Sequence, residues 1–345
     1  MRALVIGGGS WGTAFACVLA RRGHVVTLGV RDADAAQAMA RDRTNARYLP
    51  DVRLEALVTP VPLDLPAQCR GAELVALAVP SRAFASVAAS IRLDDGALAL
   101  SLTKGLDPAT GRLLLDVLAE QGGIDPSRTA FLTGPNHAEE IALGHPAAAV
   151  LSSPSPAAAR RLQAQLTGGM FRVYRSDDVV GVQLCAAAKN VVAVAAGASD
   201  GLGFGDNAKA ALMTRGLAEM GRLGEAFGAD PRTYAGLAGL GDLVATCTSR
   251  HSRNRAAGEQ IAQGVAPDEI EKRLGMAVEG LTTAPALRSL GLERQVDLPI
   301  TEAVCAVVEG MPLAEALVGL LERVPASEHD SSRAAPDLES SVERP

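Results

Sequence analysis

The six residues Gly7-Gly8-Gly9-Ser10-Trp11-Gly12 stand between a short apolar run, Ala3 to Ile6, and a stretch that reads as a helix from Gly12 onward. They satisfy G-x-G-x-x-G at the junction of a strand and a helix. Alone the pattern is weak, but in this setting it implies a tight βα turn with open backbone N–H groups at a helix N-terminus. Glycines there let a pyrophosphate approach the backbone, so Gly7, Gly9 and Gly12 are candidate dinucleotide contacts. A glycine-rich turn without a ligand is the competing reading, and the flanking strand and helix weigh against it. The second apolar run, Val25 to Val30, ends at Arg31-Asp32. An acidic residue at that strand end favours NAD, whereas Arg31 can accept the 2′-phosphate of NADP, so both cofactors remain open.

Apolar runs keep alternating with helix-like segments as far as about Arg175. A helix at Ala33 to Arg41 succeeds the second run, and further strand candidates are Glu73 to Val79, Ala97 to Leu102, Thr129 to Leu132 and Ala147 to Leu151. Continuous apolar strands separated by helices describe a mostly parallel sheet covered on both faces. The fold class is therefore α/β, with a Rossmann-type, doubly wound dinucleotide-binding domain over residues 1–177. Beyond Arg175 to Asp178 the strand signal stops, and Leu212, Gly216, Met220, Leu223 and Phe227 form a stripe at spacings of three and four. Residues 178–323 are expected to be an all-helical substrate and catalytic domain. Residues 324–345, rich in Ser, Pro, Glu and Asp, are expected to be a disordered tail. Two domains suit a chain of 345 residues.

Charge narrows the partners. The 33 basic and 39 acidic residues leave a net charge of -6, which gives no general footprint for nucleic acid or an anionic membrane surface. Any anion must be held by a local site. Of the 33 cations only four are lysines, Lys104, Lys189, Lys209 and Lys272. Arginine keeps its proton in a protein, whereas lysine releases one once its surroundings lower its pKa, so each lysine merits scrutiny for proton chemistry. Drift in an arginine-favouring background is the plainer account of Lys272. Five scattered cysteines without a close pair point to neither a metal site nor a disulfide framework, and fit a reducing cytoplasm. The chain opens directly on a strand, not on a secretory leader. Lys189 and Asn190 interrupt the longest apolar run, so no transmembrane span is expected.

Several polar groups stand where chemistry is expected. Lys104 comes just after an apolar strand, at the carboxyl edge where open α/β sheets bind ligands; a solvent-facing loop lysine is an equal reading of position alone. Thr133-Gly134-Pro135-Asn136-His137 comes after the next strand in the same way. His137 is a candidate base, with an ordinary helix-start histidine the better prior. Lys189 is the sharpest case, because Val182 to Ala198 reads as an apolar helix broken only by Lys189-Asn190. Burial would lower the lysine pKa and fit it for proton transfer. A lysine that snorkels or pairs for structure alone is the alternative. Asp242, in Gly239-Leu240-Gly241-Asp242, is a carboxylate in an apolar stretch, with Lys189 as candidate partner or helix capping as its ordinary role. Arg250-His251-Ser252-Arg253-Asn254-Arg255 places three arginines beside an N-cap serine, which suits a phosphate site; a solvated basic face is the usual explanation of such a run.

Taken in order, these segments resemble the bacterial-type NAD(P)-dependent glycerol-3-phosphate dehydrogenases. The likeness runs from the Gly7 turn through Asn45-Ala46-Arg47-Tyr48-Leu49-Pro50, Lys104-Gly105, Gly134-Pro135, Lys189-Asn190, Asp200-Gly201-Leu202-Gly203-Phe204-Gly205, Gly239-Leu240-Gly241-Asp242 and Ser252-Arg253-Asn254-Arg255 to Val278-Glu279-Gly280. The resemblance implies reduction of dihydroxyacetone phosphate to sn-glycerol 3-phosphate for glycerophospholipid synthesis, with NADH or NADPH as hydride donor and no metal. It implies that Lys189 is the proton donor or acceptor and that Lys104 and Asp242 belong to the reacting centre. Gly134 and Asn136 would line the substrate side, with Asn136 standing where Ser or Thr is common, and Ser252, Arg253 and Asn254 would hold the phosphate. Ser10, Trp11, Arg31, Tyr48, Lys104, Ala138, Arg253, Ala277 and Glu279 would meet the cofactor. A cytoplasmic homodimer is expected. The rival readings are another two-domain dehydrogenase that takes a hydroxyacid or ketoacid, and a nicotinamide-binding sensor that would not need Lys189, Lys104 and Asp242 together.

Overall fold

The computed structural model describes residues 1–323, so the expected tail lies outside the described residues. Ten strands run in chain order as β1 (Arg2–Ile6), β2 (Val25–Val30), β3 (Thr44–Asn45), β4 (Leu49–Arg53), β5 (Val58–Pro62), β6 (Leu74–Leu77), β7 (Leu98–Ser101), β8 (Thr129–Thr133), β9 (Ala147–Ser152) and β10 (Phe171–Ser176). Eight form one sheet in the order β10-β9-β8-β7-β6-β1-β2-β5, and β3 and β4 form a separate hairpin. Every neighbouring pair in the large sheet is parallel except β8 with β9. The chain leaves β1 toward β2 on one side and reaches β6 on the other. That reversal opens a crevice at the carboxyl ends of β1 and β6, where such sheets take their ligands.

The apolar runs of the sequence become the inner strands because both faces are covered: β1, β6, β7 and β8 are buried almost throughout. The two outermost strands, β5 and β10, were not among the expected ones. β5 carries Pro60 and Pro62, which cannot donate to a ladder and suit only an edge. β10 alternates, with Phe171 and Val173 buried and Arg172, Tyr174 and Arg175 exposed, because only one of its faces is covered. Its outer backbone is closed by its own neighbours: Gln163 Nε2 donates to the Val173 carbonyl at 2.9 Å and the Val173 N–H donates to Thr167 Oγ1 at 3.3 Å.

Residues 178–323 contain no strand among the described residues. The first helix, Val179–Gly201, starts where the Asp178 carboxylate accepts the Gly181 N–H at 2.8 Å. By length and composition it is apolar enough to cross a membrane, Lys189 and Asn190 notwithstanding, with a mean hydropathy of 1.7; here it is buried inside protein. Helices Gly205–Ala226, Asp242–Thr248, Arg253–Ala262 and Glu279–Arg294 pack around it. Of the expected stripe on Gly205–Ala226, Gly216, Met220 and Leu223 are buried, Leu212 is half-buried, and Phe227 falls just past the helix end. Helices Val179–Gly201 and Arg253–Ala262 touch backbone to backbone. A Cβ added to Gly197 would sit 1.9 Å from the Arg255 carbonyl oxygen, and one on Gly258 2.0 Å from that of Val194. This contact sets the Ser252 end of one helix beside the Lys189 segment of the other.

Candidate active site

The glycine turn is shaped by close approaches. Gly7 has φ +120°, and a Cβ there would fall 2.4 Å from the Ala78 carbonyl oxygen at the end of β6; one on Gly12 would fall 2.0 Å from the Gly7 carbonyl oxygen. At Gly9 nothing lies within 4 Å of the Cβ position. Gly9 is the N-cap of helix Ser10–Arg21 and offers no side chain to its first-turn N–H groups, which no helix carbonyl can reach. A backbone cradle with a bare glycine at its lip fits a pyrophosphate. Asn45 fixes the cradle, its Nδ2 donating to the Gly8 carbonyl at 2.9 Å and to Thr13 Oγ1 at 2.8 Å. Ser10 Oγ donates to the Tyr48 carbonyl at 3.3 Å, which brings Tyr48 to the turn. Ala138 packs in a small cluster with Trp11, whose buried Nε1 has no partner among the described residues. Arg31 is exposed and makes no ion pair among the described residues. The Asp32 carboxylate is occupied, accepting the Ala35 N–H at 3.0 Å as the N-cap of helix Ala33–Asp42.

Farther along the carboxyl edge, Lys104, Lys189 and Asp242 form one centre. Lys189 Nζ donates to Asp242 Oδ1 at 2.8 Å and Lys104 Nζ to Asp242 Oδ2 at 2.9 Å. The Lys189 and Asp242 side chains are 4% and 3% exposed and that of Lys104 is 16% exposed, so only Lys104 reaches toward solvent. Burial lowers the Lys189 pKa to about 8; Asp242 holds it up and the Lys104 charge works against it. Burial also works to raise the Asp242 carboxyl, but the two ammonium groups outweigh it and bring it to about 2. The carboxylate thus stays ionised while one of its lysines sits within reach of neutral pH. Lys189 also donates to Thr246 Oγ1, and Lys104 to the Gly134 carbonyl, both at 2.8 Å. Each ammonium therefore keeps one of its three N–H groups uncommitted.

A chain of amides joins this centre to the basic segment. Asn190 Nδ2 donates to the Lys104 carbonyl at 2.8 Å, Asn254 Nδ2 to Asn190 Oδ1 at 2.8 Å, and the Gly280 N–H to Asn254 Oδ1 at 2.8 Å. The Asn254 side chain is buried and engaged in holding three elements together. Ser252 is the N-cap of helix Arg253–Ala262, accepting the Arg255 N–H at 3.2 Å. The three arginines separate by role. Arg255 pairs with Asp200 at 2.7 Å and with Glu259 at 2.7 Å, and Lys209 takes the other Asp200 oxygen, so a structural tie accounts for Lys209. Arg250 lies along His251. Arg253 pairs with no carboxylate among the described residues and donates only to the Ala277 carbonyl, at 3.3 Å. Glu279 Oε1 accepts the Ser81 N–H at 3.0 Å, while its buried Oε2 has no partner among the described residues. Burial pushes that carboxyl up, against the Ser81 hydrogen bond.

Asn136 and His137 flank the centre differently. Both amide atoms of Asn136 are buried without a partner among the described residues, beside Gly134. His137 is the N-cap residue of helix Ala138–Ala142 and its Nε2 lies 3.1 Å from the Ala245 carbonyl, so its ring N–H is spent there. Burial lowers its pKa, with the two lysine charges acting the same way. It stands at the helix start, as the plainer reading of the sequence has it, with Nδ1 left as the ring's acceptor when Nε2 carries the proton. Lys272 is exposed on helix Pro267–Leu274. Thr246, which also shapes the site, carries no signal in the sequence, since helices use threonine freely; Asn45 and Thr133 fall within segments the sequence marks, Asn45 to Pro50 and Thr133 to His137, without a role of their own.

Comparison with known proteins places this geometry. Sequence-family models described as NAD-dependent glycerol-3-phosphate dehydrogenase N-terminus and C-terminus match residues 2–159 and 178–318. The glycerol-3-phosphate dehydrogenase [NAD(P)+] of Geobacillus kaustophilus is 46% identical over 330 residues, covering 94% of this chain and 96% of that one. The crystal structure of glycerol-3-phosphate dehydrogenase from Coxiella burnetii superposes with a TM-score of 0.88 at 40% identity, over 93% of this chain and 99% of the other. That of Saccharomyces cerevisiae gives 0.76 at 28% identity, over 93% and 99%. With a parallel sheet bearing a dinucleotide turn, a helical half carrying the buried lysine, and this likeness along nearly its whole length, the chain belongs to the NAD(P)-dependent glycerol-3-phosphate dehydrogenases, oxidoreductases that act on a CH–OH group of a small phosphorylated substrate.

Proposed function

We propose that the enzyme reduces dihydroxyacetone phosphate to sn-glycerol 3-phosphate, supplying glycerophospholipid synthesis, with Lys189 as proton donor. The observation that carries this reading is the shared carboxylate: Asp242 anchors two ammonium groups, each with one N–H left over. A bound reduced nicotinamide would supply the hydride to the carbonyl carbon. As the carbonyl oxygen gains negative charge, Lys189 stabilises it and then delivers its proton, while Lys104 adds a positive field. A lysine whose pKa is drawn to about 8 gives up that proton more readily than an ordinary one. Asn136, with donor and acceptor both unspent, is suited to a hydroxyl of the substrate. Arg253 and the open N–H groups at the start of its helix are suited to the phosphate, which fixes orientation by binding away from the reacting carbon. At the other end the glycine cradle would take the pyrophosphate. With Asp32 occupied as a helix cap and Arg31 making no ion pair among the described residues, the turn favours a 2′-phosphate, hence NADPH. The test measures loss of reduced-nicotinamide absorbance with dihydroxyacetone phosphate and with carboxylated ketones, using each cofactor separately. Turnover confined to the phosphorylated ketone, with the lower KM for NADPH, is expected. No turnover with that ketone overturns the substrate; a lower KM for NADH overturns the cofactor preference.

A further inference from the structure

Asp242 divides its oxygens between the two halves of the molecule. Oδ1 takes its bond from the helical half, from Lys189 Nζ at 2.8 Å; Thr246 Oγ1 lies 3.3 Å away and gives its proton to the Asp242 backbone carbonyl at 2.6 Å. Oδ2 takes its bonds from the edge of the sheet, from Lys104 Nζ at 2.9 Å, Thr133 Oγ1 at 3.0 Å and the Gly134 N–H at 3.3 Å. Of those three donors only Lys104 reaches solvent and has a long, flexible stem. Thr133 is fully buried at the last position of β8, in register with Val150 of β9. Its branched side chain has few rotamers, and an ionised carboxylate accepts only, so the threonine must donate.

We propose that Thr133 is a positioning residue for the reaction: its hydroxyl holds Asp242 Oδ2 against the sheet, so that Lys104 can turn toward substrate while the carboxylate continues to orient Lys189. This rests on the proton role given to Lys189 above. A ketone oxygen that takes the uncommitted Lys104 N–H draws that ammonium away from Oδ2. Without a second donor from the same side, Asp242 would be held chiefly by its helical partners and would swing with them. Thr133, assisted by the Gly134 N–H, supplies a bond that substrate does not displace. The charged and titratable groups around Asp242 are Lys104 after β7, Lys189 on helix Val179–Gly201, His137 at the start of helix Ala138–Ala142, and the buried thiols of Cys185 and Cys247. Burial pushes both thiols up, so Lys189 and His137 are the groups whose titration Asp242 can influence.

Thr133→Val keeps the shape and removes the donor; Thr133→Ser keeps the donor and removes a methyl. Loss of a hydrogen bond to a charged group predicts a fall in kcat of about tenfold for Thr133→Val. KM for the phosphorylated ketone should change less than about twofold, because the phosphate is held elsewhere. Asp242 holds the Lys189 pKa up, so loosening it should move the alkaline limb of the kcat profile to lower pH. Thr133→Ser should restore both kcat and the limb. Wild-type kcat and an unmoved limb in Thr133→Val would overturn the proposal, as would equal losses in both variants, which would indicate packing. Should Thr133→Val fail to fold, Thr133→Ala carries the same comparison with serine. Lys189→Arg in parallel keeps the two ideas separable: turnover surviving in that variant removes the proton role itself, whereas an inactive Lys189→Arg beside a normal Thr133→Val removes only Thr133.

Discussion

The glycine turn and the lysine–aspartate centre lie on the same edge of one sheet and recognise by different means. The turn works through backbone, in six consecutive residues that close on the ends of the adjacent strands and on Asn45 and Tyr48. The centre works through charge, with side chains brought from positions 104, 133, 189, 242 and 246, so that each group's state depends on the others. A backbone cradle tolerates change everywhere except where a side chain would fill it. A shared buried carboxylate tolerates little, because removing any partner leaves a charge uncompensated. The same edge therefore carries one site that fails locally and one that fails as a unit.

The sharpest way to break that contrast is Lys189→Arg. The charge survives and the transferable proton does not, so kcat is expected to fall by about a thousandfold while glycerol 3-phosphate binding persists by calorimetry. Near-normal turnover would show that the centre works by charge alone. In the unmodified enzyme, the same proton sets a pH dependence. Ketone reduction needs Lys189 protonated, so kcat/KM for reduction should decline as pH rises through about 8, and that for alcohol oxidation should rise over the same range. Arg253→Ala should raise KM for the phosphorylated ketone by about ten- to a hundredfold, as expected for a lost charge-assisted contact, with a smaller effect on kcat. An unchanged KM would detach the phosphate from that helix. The smallest effect belongs to the turn. Gly9 has an extended conformation and free space around its Cβ position, so Gly9→Ala should leave the melting temperature unchanged. A methyl at the lip of the cradle should nevertheless weaken cofactor binding, read by quenching of Trp11 fluorescence, by roughly tenfold. A loss of stability instead would mean that the turn is coupled to the fold as tightly as the centre is.

Legibility in the sequence divides along the same line. The inner strands stand out as unbroken apolar runs because both of their faces are covered, whereas β5 and β10, each with an exposed side, are masked by proline and by alternation. Lys189 stands out because a charge inside an apolar helix has no cheap explanation. Thr246 does not, and Thr133 does so only as the first residue of the turn after its strand, since a threonine in a helix or strand is unremarked until a carboxylate arrives beside it. Asn254 reads as a phosphate ligand from its neighbours; that its side chain bonds to Asn190 and Gly280 is revealed only by the crossing of three helices. Arg255 and Arg253, two residues apart, look alike in sequence and are separated by Asp200, more than fifty positions away.

By itself the sequence determined the α/β character of residues 3–175, the glycine turn, the helical character of residues 178–323 and the few places where lysine replaces arginine. These are properties of period and composition, which act between near neighbours in the chain. The Lys189–Asp242 pairing was already a candidate in the sequence; tertiary structure alone decided that Thr133 would join Lys104 and Lys189 on that one carboxylate, which of the three arginines would make no ion pair among the described residues, and how far the Lys189 pKa would fall. Those outcomes depend on distances of about 3 Å between groups up to 138 residues apart and on the exclusion of water around them, and neither is encoded locally.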